Sequence, residues 1–367
     1  MPFQRPVITP IANVPLEQAL LQKLQRRSQA TGGMGELEPL AVQLGLIQNS
    51  LKPTFNAPQI VVFAGDHGLA VDGIGSDLGR STDELVRTLL TLQMPMAAFA
   101  KLQGLQLSVV DSGIAEPVPP HARLLARKIA HGTRNARAGP AMSQEQVGAA
   151  VRAGMEIARS LPGNVIACAG IGVGSYESAA LILARLSQTE IAKFFRADAG
   201  HASDVSALSI LEGANTRNKD AVEPLAVLAA FGGFETAMLV GLMLVAASER
   251  HLILADGLTA FAALMVASRL SPSVTDYCLF CRSHSRNGID EALSLFKAAA
   301  LLEVGIESAD GTGATLAWPL IRCAAALLSE VADGEEPGPT LPSSLTPAPG
   351  LSAAAPAVDS ESPVSSR

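Results

Sequence analysis

The sequence predicts an α/β protein in which helices cover both faces of a parallel sheet. Short apolar runs alternate with helical stretches along most of the chain, and within each run the apolar residues are continuous. Strands of that kind are typical of parallel sheets that are buried on both faces. Hydrophobic residues make up 48% of the 367 residues and aromatic residues only 4%. Ala, Leu, Val and Ile must therefore fill the core.

A helical segment is predicted first, and the strands follow it. Residues 16–48 show helical spacing of apolar residues, with a break at 31–33 and a second helix from Leu37. Four β-rich runs come later, and each closes on a small or acidic residue. These runs are 60–63 before Asp66, 107–110 before Asp111, 165–166 before Gly170 and 252–254 before Asp256. Because ligands bind outside the carboxyl ends of parallel strands, we expect the functional site at the rim where these residues meet.

Composition and charge narrow the class of partner. The net charge is -7 and no long basic stripe is present, which argues against binding to nucleic acid or to an anionic membrane. The apolar run 225–247 is long enough to span a bilayer, but Gly232-Gly233 and Glu235 near its middle favour a buried helix pair or a kinked helix. The first fifteen residues lack the features of a secretory signal, so a cytoplasmic location is expected.

The four cysteines are expected to be free thiols: Cys168, Cys278, Cys281 and Cys323. Cys278-x-x-Cys281 could be half of a zinc or redox site. No second pair follows, however, and the flanking Leu279-Phe280 is typical of a buried strand. We therefore predict no metal site.

Two turns carry candidate chemistry. The segment 62–68 brings Asp66 and His67 to the end of a strand, where they form either a site or a capped turn with a satisfied polar histidine. Gly170, Gly172, Gly174 and Ser175 follow a strand and open an alanine-rich helix. Backbone N–H groups there could hold a phosphate, or the glycines could serve only a tight turn.

Two further segments leave alternatives open. The basic patch 128–135 could hold a phosphate or clamp a neighbouring loop. Asp310 stands before the turn formed by Gly311, Thr312 and Gly313, so it could be a general base or only a favourable acid near a helix N-terminus.

Seven motifs in order give the chain a family resemblance. They are 31–38 (TGGMGELE), 66–68 (DHG), 132–135 (GTRN), 140–143 (PAMS), 232–235 (GGFE), 256–257 (DG) and 311–314 (GTGA). The series resembles the nicotinate-nucleotide:dimethylbenzimidazole phosphoribosyltransferase family of cobalamin biosynthesis, over roughly residues 10 to 333. Such an ordered series is far more specific than any single motif.

The resemblance implies a Rossmann-like parallel sheet with a small helical domain built from both chain ends. On this basis residues 1–50 belong to the small domain, 51–295 form the large α/β domain and 296–334 hold an active-site turn and a helix that returns to the small domain. Residues 335–367 are rich in Pro, Ser and Ala and are predicted to be a disordered tail. The implied protein is a homodimer.

The reaction that the resemblance implies transfers phosphoribose from nicotinate mononucleotide to 5,6-dimethylbenzimidazole, without metal or organic cofactor. Asp310 stands where the family has its catalytic glutamate, and Cys168 where it has a second carboxylate. Glu84 corresponds to a glutamine that holds the benzimidazole, with Ser76 on the same loop. The expected phosphate-binding lysine is not evident, and we predict that Arg282 or Arg286 replaces it.

The sequence therefore predicts Asp310, helped by Glu84, as the catalytic base. The predicted substrate-binding residues are Asp66, His67, Ser76, Gly170, Gly172, Gly174, Ser175, Gly311, Thr312 and Gly313. One alternative is a degenerate paralogue that binds a nucleotide or a benzimidazole-like ligand without turnover, and another is a transferase for a different base. A nicotinamide dehydrogenase is disfavoured by the poor glycine fingerprint.

Overall fold

A single parallel sheet organises the computed structural model, which describes residues 3–74, 80–195, 202–285 and 288–331. Its strands are β1 (Gln59–Gly65), β2 (Gln106–Gly113), β3 (Leu124–Ala126), β4 (Val165–Ile171), β5 (Leu252–Asp256) and β6 (Cys278–Cys281). They lie in the order β3-β2-β1-β4-β5-β6, and every neighbouring pair is parallel. This order is that of a doubly wound Rossmann sheet, with the topological switch between β1 and β4. The predicted fold class is confirmed.

Helices flank the sheet on both faces. The described residues form α1 (Val14–Thr31), α2 (Leu37–Gln48), α3 (Thr82–Leu90), α4 (Pro95–Gln103), α5 (Gln144–Ser160), α6 (Ser175–Ser187), α7 (Ala202–Arg217), α8 (Pro224–Phe231), α9 (Phe234–Ser248), α10 (Leu258–Leu270), α11 (Ile289–Leu295) and α12 (Thr312–Ser329). The predicted break at 31–33 is present, because α1 ends at Thr31, Gly32 follows it with φ 88°, and α2 begins at Leu37.

The predicted strands all form, with two differences at their ends. Asp111 and Gly170 lie inside β2 and β4 rather than after them. Both strands run on into small residues of weak β propensity, where pairing with β1 keeps the chain extended. The strand predicted at Leu279-Phe280 is β6. The three-residue β3 was not predicted, since so short an edge strand leaves almost no periodic signal.

The apolar run 225–247 forms the buried helix pair α8 and α9, which are separated at Gly232-Gly233. Helix α9 crosses α5 at very short range. A Cβ atom at Gly154 would overlap the Met238 carbonyl group, and one at Gly241 would overlap the Val151 carbonyl group. Glycine on each helix therefore allows the two backbones to touch, which places α9 firmly over β1 and β4.

Helix α12 packs against α2 and α4. By length and composition it could cross a membrane, but 56% of it is buried inside the protein, and it contains Pro319. It is therefore a core helix. The contact between α12 and α2 joins a helix from the first fifty residues to one that follows the large sheet, while the domain boundaries themselves stay a prediction. The predicted tail 335–367 lies outside the described residues.

Candidate active site

A cleft opens at the carboxyl ends of β4, β5 and β6. Together with the solvent space at its mouth, the cleft spans about 840 Å³. The lining combines the β4–α6 turn, the loop before α12 and apolar side chains from the α3–α4 region. Its residues are Arg80, Leu85, Met94, Met96, Gly170, Ile171, Gly172, Val173, Gly174, Ser175, Tyr176, Glu177, Thr259, His284, Ser308, Ala309 and Asp310. The rim that carries the site is thus the one predicted from the strand ends.

The β4–α6 turn forms one wall of the cleft and needs its glycines. A Cβ atom at Gly172 would overlap the Gly65 carbonyl oxygen of β1, and Gly174 has φ 85°. Ser175 then begins α6, and its hydroxyl donates to the Gly172 carbonyl at 2.9 Å. The first turn of α6 faces the cleft because Ser175, Tyr176 and Glu177 all line it. Helix N-terminal N–H groups at this point could bind an anion.

Asp310 lies on the opposite wall, beside a histidine. Its carboxyl group lies against Gly257, where a Cβ atom would overlap it. Oδ1 of Asp310 is 3.0 Å from Nε2 of His284, and the two side chains are 12% and 7% exposed. The pair is close, although the angles of a hydrogen bond are not met. A carboxylate and an imidazole therefore share the wall of a partly open cleft.

A second carboxyl group lies behind this pair. Asp256, fully buried at the end of β5, accepts hydrogen bonds from the Ser283 hydroxyl at 2.9 and 3.0 Å and from the Ala314 N–H at 2.7 Å. Burial, and then the nearby Asp310 charge, raise the pKa of Asp256 to about 7. Asp256 therefore keeps its proton until close to neutral pH.

A second histidine at the rim, His67, is sealed from solvent. Nε2 of His67 is 2.9 Å from Oε1 of Glu235, and these residues are 3% and 0% exposed. Burial alone would lower the pKa of His67, but the charge of Glu235 and its hydrogen bond outweigh burial and the pKa is raised. Burial would likewise raise the pKa of Glu235, yet His67 holds it below its ordinary value. The result is a buried ion pair between β1 and α9.

The comparisons with known proteins agree with this geometry. A sequence profile described as phosphoribosyltransferase matches residues 9–338. This chain belongs to that phosphoribosyltransferase family. A nicotinate-nucleotide–dimethylbenzimidazole phosphoribosyltransferase from Cupriavidus taiwanensis is 39% identical over 327 residues, which cover 87% of this chain and 94% of the relative. One of the same name from Variovorax paradoxus is 37% identical over 91% of this chain and 96% of the relative.

A solved structure supports the same membership. The crystal structure of nicotinate-nucleotide–dimethylbenzimidazole phosphoribosyltransferase from Thermus thermophilus matches with a TM-score of 0.79 and 26% identity, covering 86% of this chain and 96% of that one. The family that the seven motifs resemble is therefore confirmed. The similarity covers most of both chains.

Asp66 and His67 support the phosphoribosyltransferase cleft from behind and do not line it. Asp66 accepts a hydrogen bond from the Thr82 hydroxyl and one from the Ala115 N–H at 2.7 Å. Thr82 in turn accepts the Val173 N–H at 3.0 Å. This network ties β1, α3 and the β4–α6 turn together. Asp66 and His67 were predicted to bind substrate, but neither side chain contacts the cleft.

The Gly311–Gly313 turn also lies behind the wall. Gly311 has φ 99°, and a Cβ atom on Gly313 would overlap the Arg282 carbonyl oxygen. The Thr312 hydroxyl donates to the Ala309 carbonyl at 2.7 Å. The turn starts α12 and fixes the loop that presents Asp310, while the cleft itself is lined by Ser308, Ala309 and Asp310. Gly311, Thr312 and Gly313 were predicted to bind substrate, but here they hold the loop that carries Asp310.

Glu84 is exposed and belongs to the capping box of α3, where its carboxylate accepts the Ser81 N–H at 3.3 Å. It is absent from the cleft lining, although its neighbour Leu85 is part of it. Glu84 was predicted to take part in the proton transfer, and this position at the start of α3 does not favour that role. Ser76, the other residue predicted beside the base, lies outside the described residues.

Arg282, one of the two arginines predicted to bind the phosphate, lies outside the cleft lining. Arg282 binds Asp290 at 2.9 Å and Glu303 at 2.8 Å and does not line the cleft. Arg286 lies outside the described residues. Among the lining residues that the structure describes, Arg80 is the one lysine or arginine, and sequence reasoning missed it.

The basic patch 128–135 holds neighbouring loops together, since Lys128 donates to the Ile114 carbonyl at 2.6 Å and pairs with Asp111.

Cys168, which stands at the position of a family carboxylate, is buried in β4 away from the lining, and burial raises the pKa of its thiol well above its ordinary range. Cys278 and Cys281 are the two ends of β6, and both thiols are buried with raised pKa values for the same reason. A nucleophilic or metal-binding thiol would need the opposite shift. The interpretation of this motif as a buried strand is confirmed.

His284 is the functional candidate that the sequence reasoning did not single out. It lies three residues after β6, and the rule used for the other strands, a small or acidic residue directly at the strand end, does not select a histidine at that position. Tyr176, whose ring lies 6.2 Å from the imidazole ring, gave no signal either.

Proposed function

We propose that this phosphoribosyltransferase transfers phosphoribose from nicotinate mononucleotide to 5,6-dimethylbenzimidazole, giving α-ribazole 5′-phosphate and nicotinate. The observation that carries the proposal is one shared cleft, in which the Asp310 carboxylate faces the β4–α6 turn. The names of the relatives from Cupriavidus taiwanensis and Variovorax paradoxus state these two substrates, and this chain covers almost their whole length.

Each part of the cleft suits one part of the substrates. The first turn of α6 supplies N–H groups for the phosphate, and Arg80 supplies a positive charge. Leu85, Met94 and Met96 supply an apolar surface for the flat benzimidazole ring. Methionine side chains adapt well to such rings through their polarizable sulfur.

In the proposed reaction Asp310 accepts the azole N–H proton while the opposite ring nitrogen attacks the anomeric carbon. The new N–C bond forms as the bond to nicotinate breaks, and the bonding electron pair leaves on the nicotinate nitrogen. Holding the reactants in line and stabilising positive charge on the ribose supply most of the acceleration. The homodimer that the family resemblance implies belongs to the same proposal, and so does the cytoplasmic location expected from the N-terminal sequence.

The test incubates purified protein with nicotinate mononucleotide, with and without 5,6-dimethylbenzimidazole, and follows nicotinate and α-ribazole 5′-phosphate by chromatography. We expect nicotinate release that depends on the added base and equals the new nucleotide in amount. A panel of benzimidazoles and purines then ranks the acceptors. Absence of release with every base, despite binding of the nucleotide, would contradict turnover and support the binding-only paralogue.

A further inference from the structure

His284 is a titratable group in the cleft that the reaction above does not use. It stands three residues after β6, its Nε2 lies 3.0 Å from Oδ1 of Asp310, and the Tyr176 ring covers it at 6.2 Å. The imidazole lines the cleft but is only 7% exposed. A side chain held this firmly beside the proposed base can control what that base does.

Asp310 needs such control because little else fixes its carboxylate. Oδ1 is buried and receives no well-aligned hydrogen bond, and Gly257 below it offers only backbone. Hydrogen bonds of catalytic groups are often poorly aligned before substrate binds and tighten afterwards. The imidazole is therefore the group placed to orient this carboxylate.

Several charged groups surround His284 and belong to any account of its titration. They are Asp310 on the loop before α12, Asp256 at the end of β5, Glu177 on α6, Arg80 across the cleft, Arg282, whose Nε donates to the His284 carbonyl, and Glu307, which accepts the Ser285 N–H. Asp256 interacts with both members of the pair. It is the neighbour whose own titration must be separated from that of His284.

We propose that His284 is a positioning residue that switches the Asp310 base with pH. In its neutral form, Nε2–H donates to one carboxylate oxygen and turns the other toward the azole N–H. In its protonated form, the imidazolium holds the carboxylate in an ion pair, which weakens its ability to accept a proton. This inference rests on the proposed function, since it concerns the same transfer.

The proton balance of the step is simple. The azole N–H bond breaks and its proton moves to the free oxygen of Asp310, while the Nε2–H bond of His284 stays intact. His284 therefore gains and loses no proton during turnover. Its influence is exerted before the step, through the fraction of molecules in which it is neutral. Imidazole is the side chain whose ordinary pKa places its change of charge between pH 5 and 8, so a pH profile is the measurement that tests this role.

The experiment measures kcat/KM for nicotinate release from pH 5 to 9 in the wild type, His284→Gln and His284→Ala. Glutamine can still donate an N–H to Asp310 but cannot become charged. We expect an acid limb in the wild type that moves down by at least about one pH unit in His284→Gln, with activity at pH 8 within about tenfold of the wild type. His284→Ala should lose about tenfold or more at every pH, while binding of nicotinate mononucleotide changes little.

Asp256→Asn is the matched control, because Asp256 also titrates near neutral pH. The acid limb should remain in place in this variant. The proposal is overturned if His284→Gln keeps the wild-type profile, if His284→Ala is as active as the wild type, or if the limb moves only in Asp256→Asn. A wild type that releases no nicotinate would instead contradict the proposed function, so the two failures are distinguishable.

Discussion

The rim of this protein holds two histidine–carboxylate pairs of nearly equal length, His67–Glu235 at 2.9 Å and His284–Asp310 at 3.0 Å. The first is sealed between the central strand β1 and helix α9, and neither side chain reaches solvent. The second forms part of the wall of a cleft. The distances alone would not tell them apart. Access to a ligand decides which pair can do chemistry and which one holds the structure together.

Their neighbours differ as well. The charges of Asp66 and Glu177 also act on His67, and Cβ atoms at Gly65 and Gly233 would overlap the Glu235 carboxylate. Around Asp310 lie the buried Asp256, the first turn of α6 and Arg80. The sealed pair is packed too tightly to admit a ligand. The open pair lies beside space that a substrate can enter, where the Asp310 carboxylate can meet a cationic ribose or accept a proton.

Removing the proposed base, Asp310, tests most directly whether the open pair does the chemistry. Asp310→Asn keeps the size of the side chain but cannot accept a proton, so kcat should fall by roughly 10²–10⁴-fold, the usual effect of a general base. The fold should persist, because the side chain lies at the wall of the cleft. Steady-state kinetics and thermal unfolding check both statements. Asp290→Asn, at a carboxylate that is 76% exposed, is the control and should stay fully active.

Breaking the sealed pair should affect stability first. Glu235→Ala leaves His67 buried without its partner, and removal of one member of a buried ion pair costs about 3–5 kcal/mol. Urea unfolding measures this cost. Glu303→Ala removes an exposed partner of Arg282 and should cost no more than about 1 kcal/mol. Equal losses in the two variants would show that the buried pair contributes nothing special.

Sequence reasoning found the sealed pair's histidine and missed the open one for a physical reason. The motif Asp66-His67-Gly68 follows a strongly apolar strand, so it stands out locally. The burial of His67 and its pairing with Glu235 depend on α9, 168 positions later in the chain. No local sequence pattern indicates that packing. His284 follows the short strand β6, and its partner Asp310 lies 26 positions further along the chain. The pairing therefore exists only in the folded protein.

Other parts of the site were within reach of the sequence. The parallel sheet, the rim at its strand ends and the glycine turn before α6 follow from local pattern and from steric needs that glycine alone meets. Ser81 followed by Glu84 three residues later is the signature of a capping box, which would have predicted the structural contact that Glu84 makes. Arg80 could not have been assigned, because nothing local indicates which exposed arginine faces a cleft.

Asp256, the carboxyl group behind the open pair, makes the stability of the protein depend on pH. Asp256 has a pKa of about 7 in the folded protein, against about 3.9 in an unfolded chain. Between these values the folded state keeps a proton that the unfolded state has lost, so this group's contribution to stability declines as pH rises from about 4 to about 7. Above that range the penalty is constant.

Asp256→Asn removes this penalty, while its amide oxygen can still accept the Ser283 and Ala314 hydrogen bonds. Relative to the wild type, the variant should therefore gain a few kcal/mol in unfolding free energy between pH 4.5 and pH 8, at about 1.4 kcal/mol for each unit of pKa shift. Urea unfolding at several pH values gives the difference. Parallel pH curves for the two proteins would mean that Asp256 is already ionised when folded.

The smallest expected effect concerns the positive charge that the open cleft needs and the sealed pair does not. Arg80 is exposed and lies in the cleft lining, so Arg80→Ala should raise KM for nicotinate mononucleotide by about tenfold, or ~1.4 kcal/mol of binding, with little change in kcat. The effect should shrink at high salt, because exposed charges are screened. Arg123→Ala, at an exposed arginine just before β3 and outside the lining, should leave KM unchanged. If both variants weaken binding equally, the general charge of the surface attracts the nucleotide and Arg80 has no special place in the cleft.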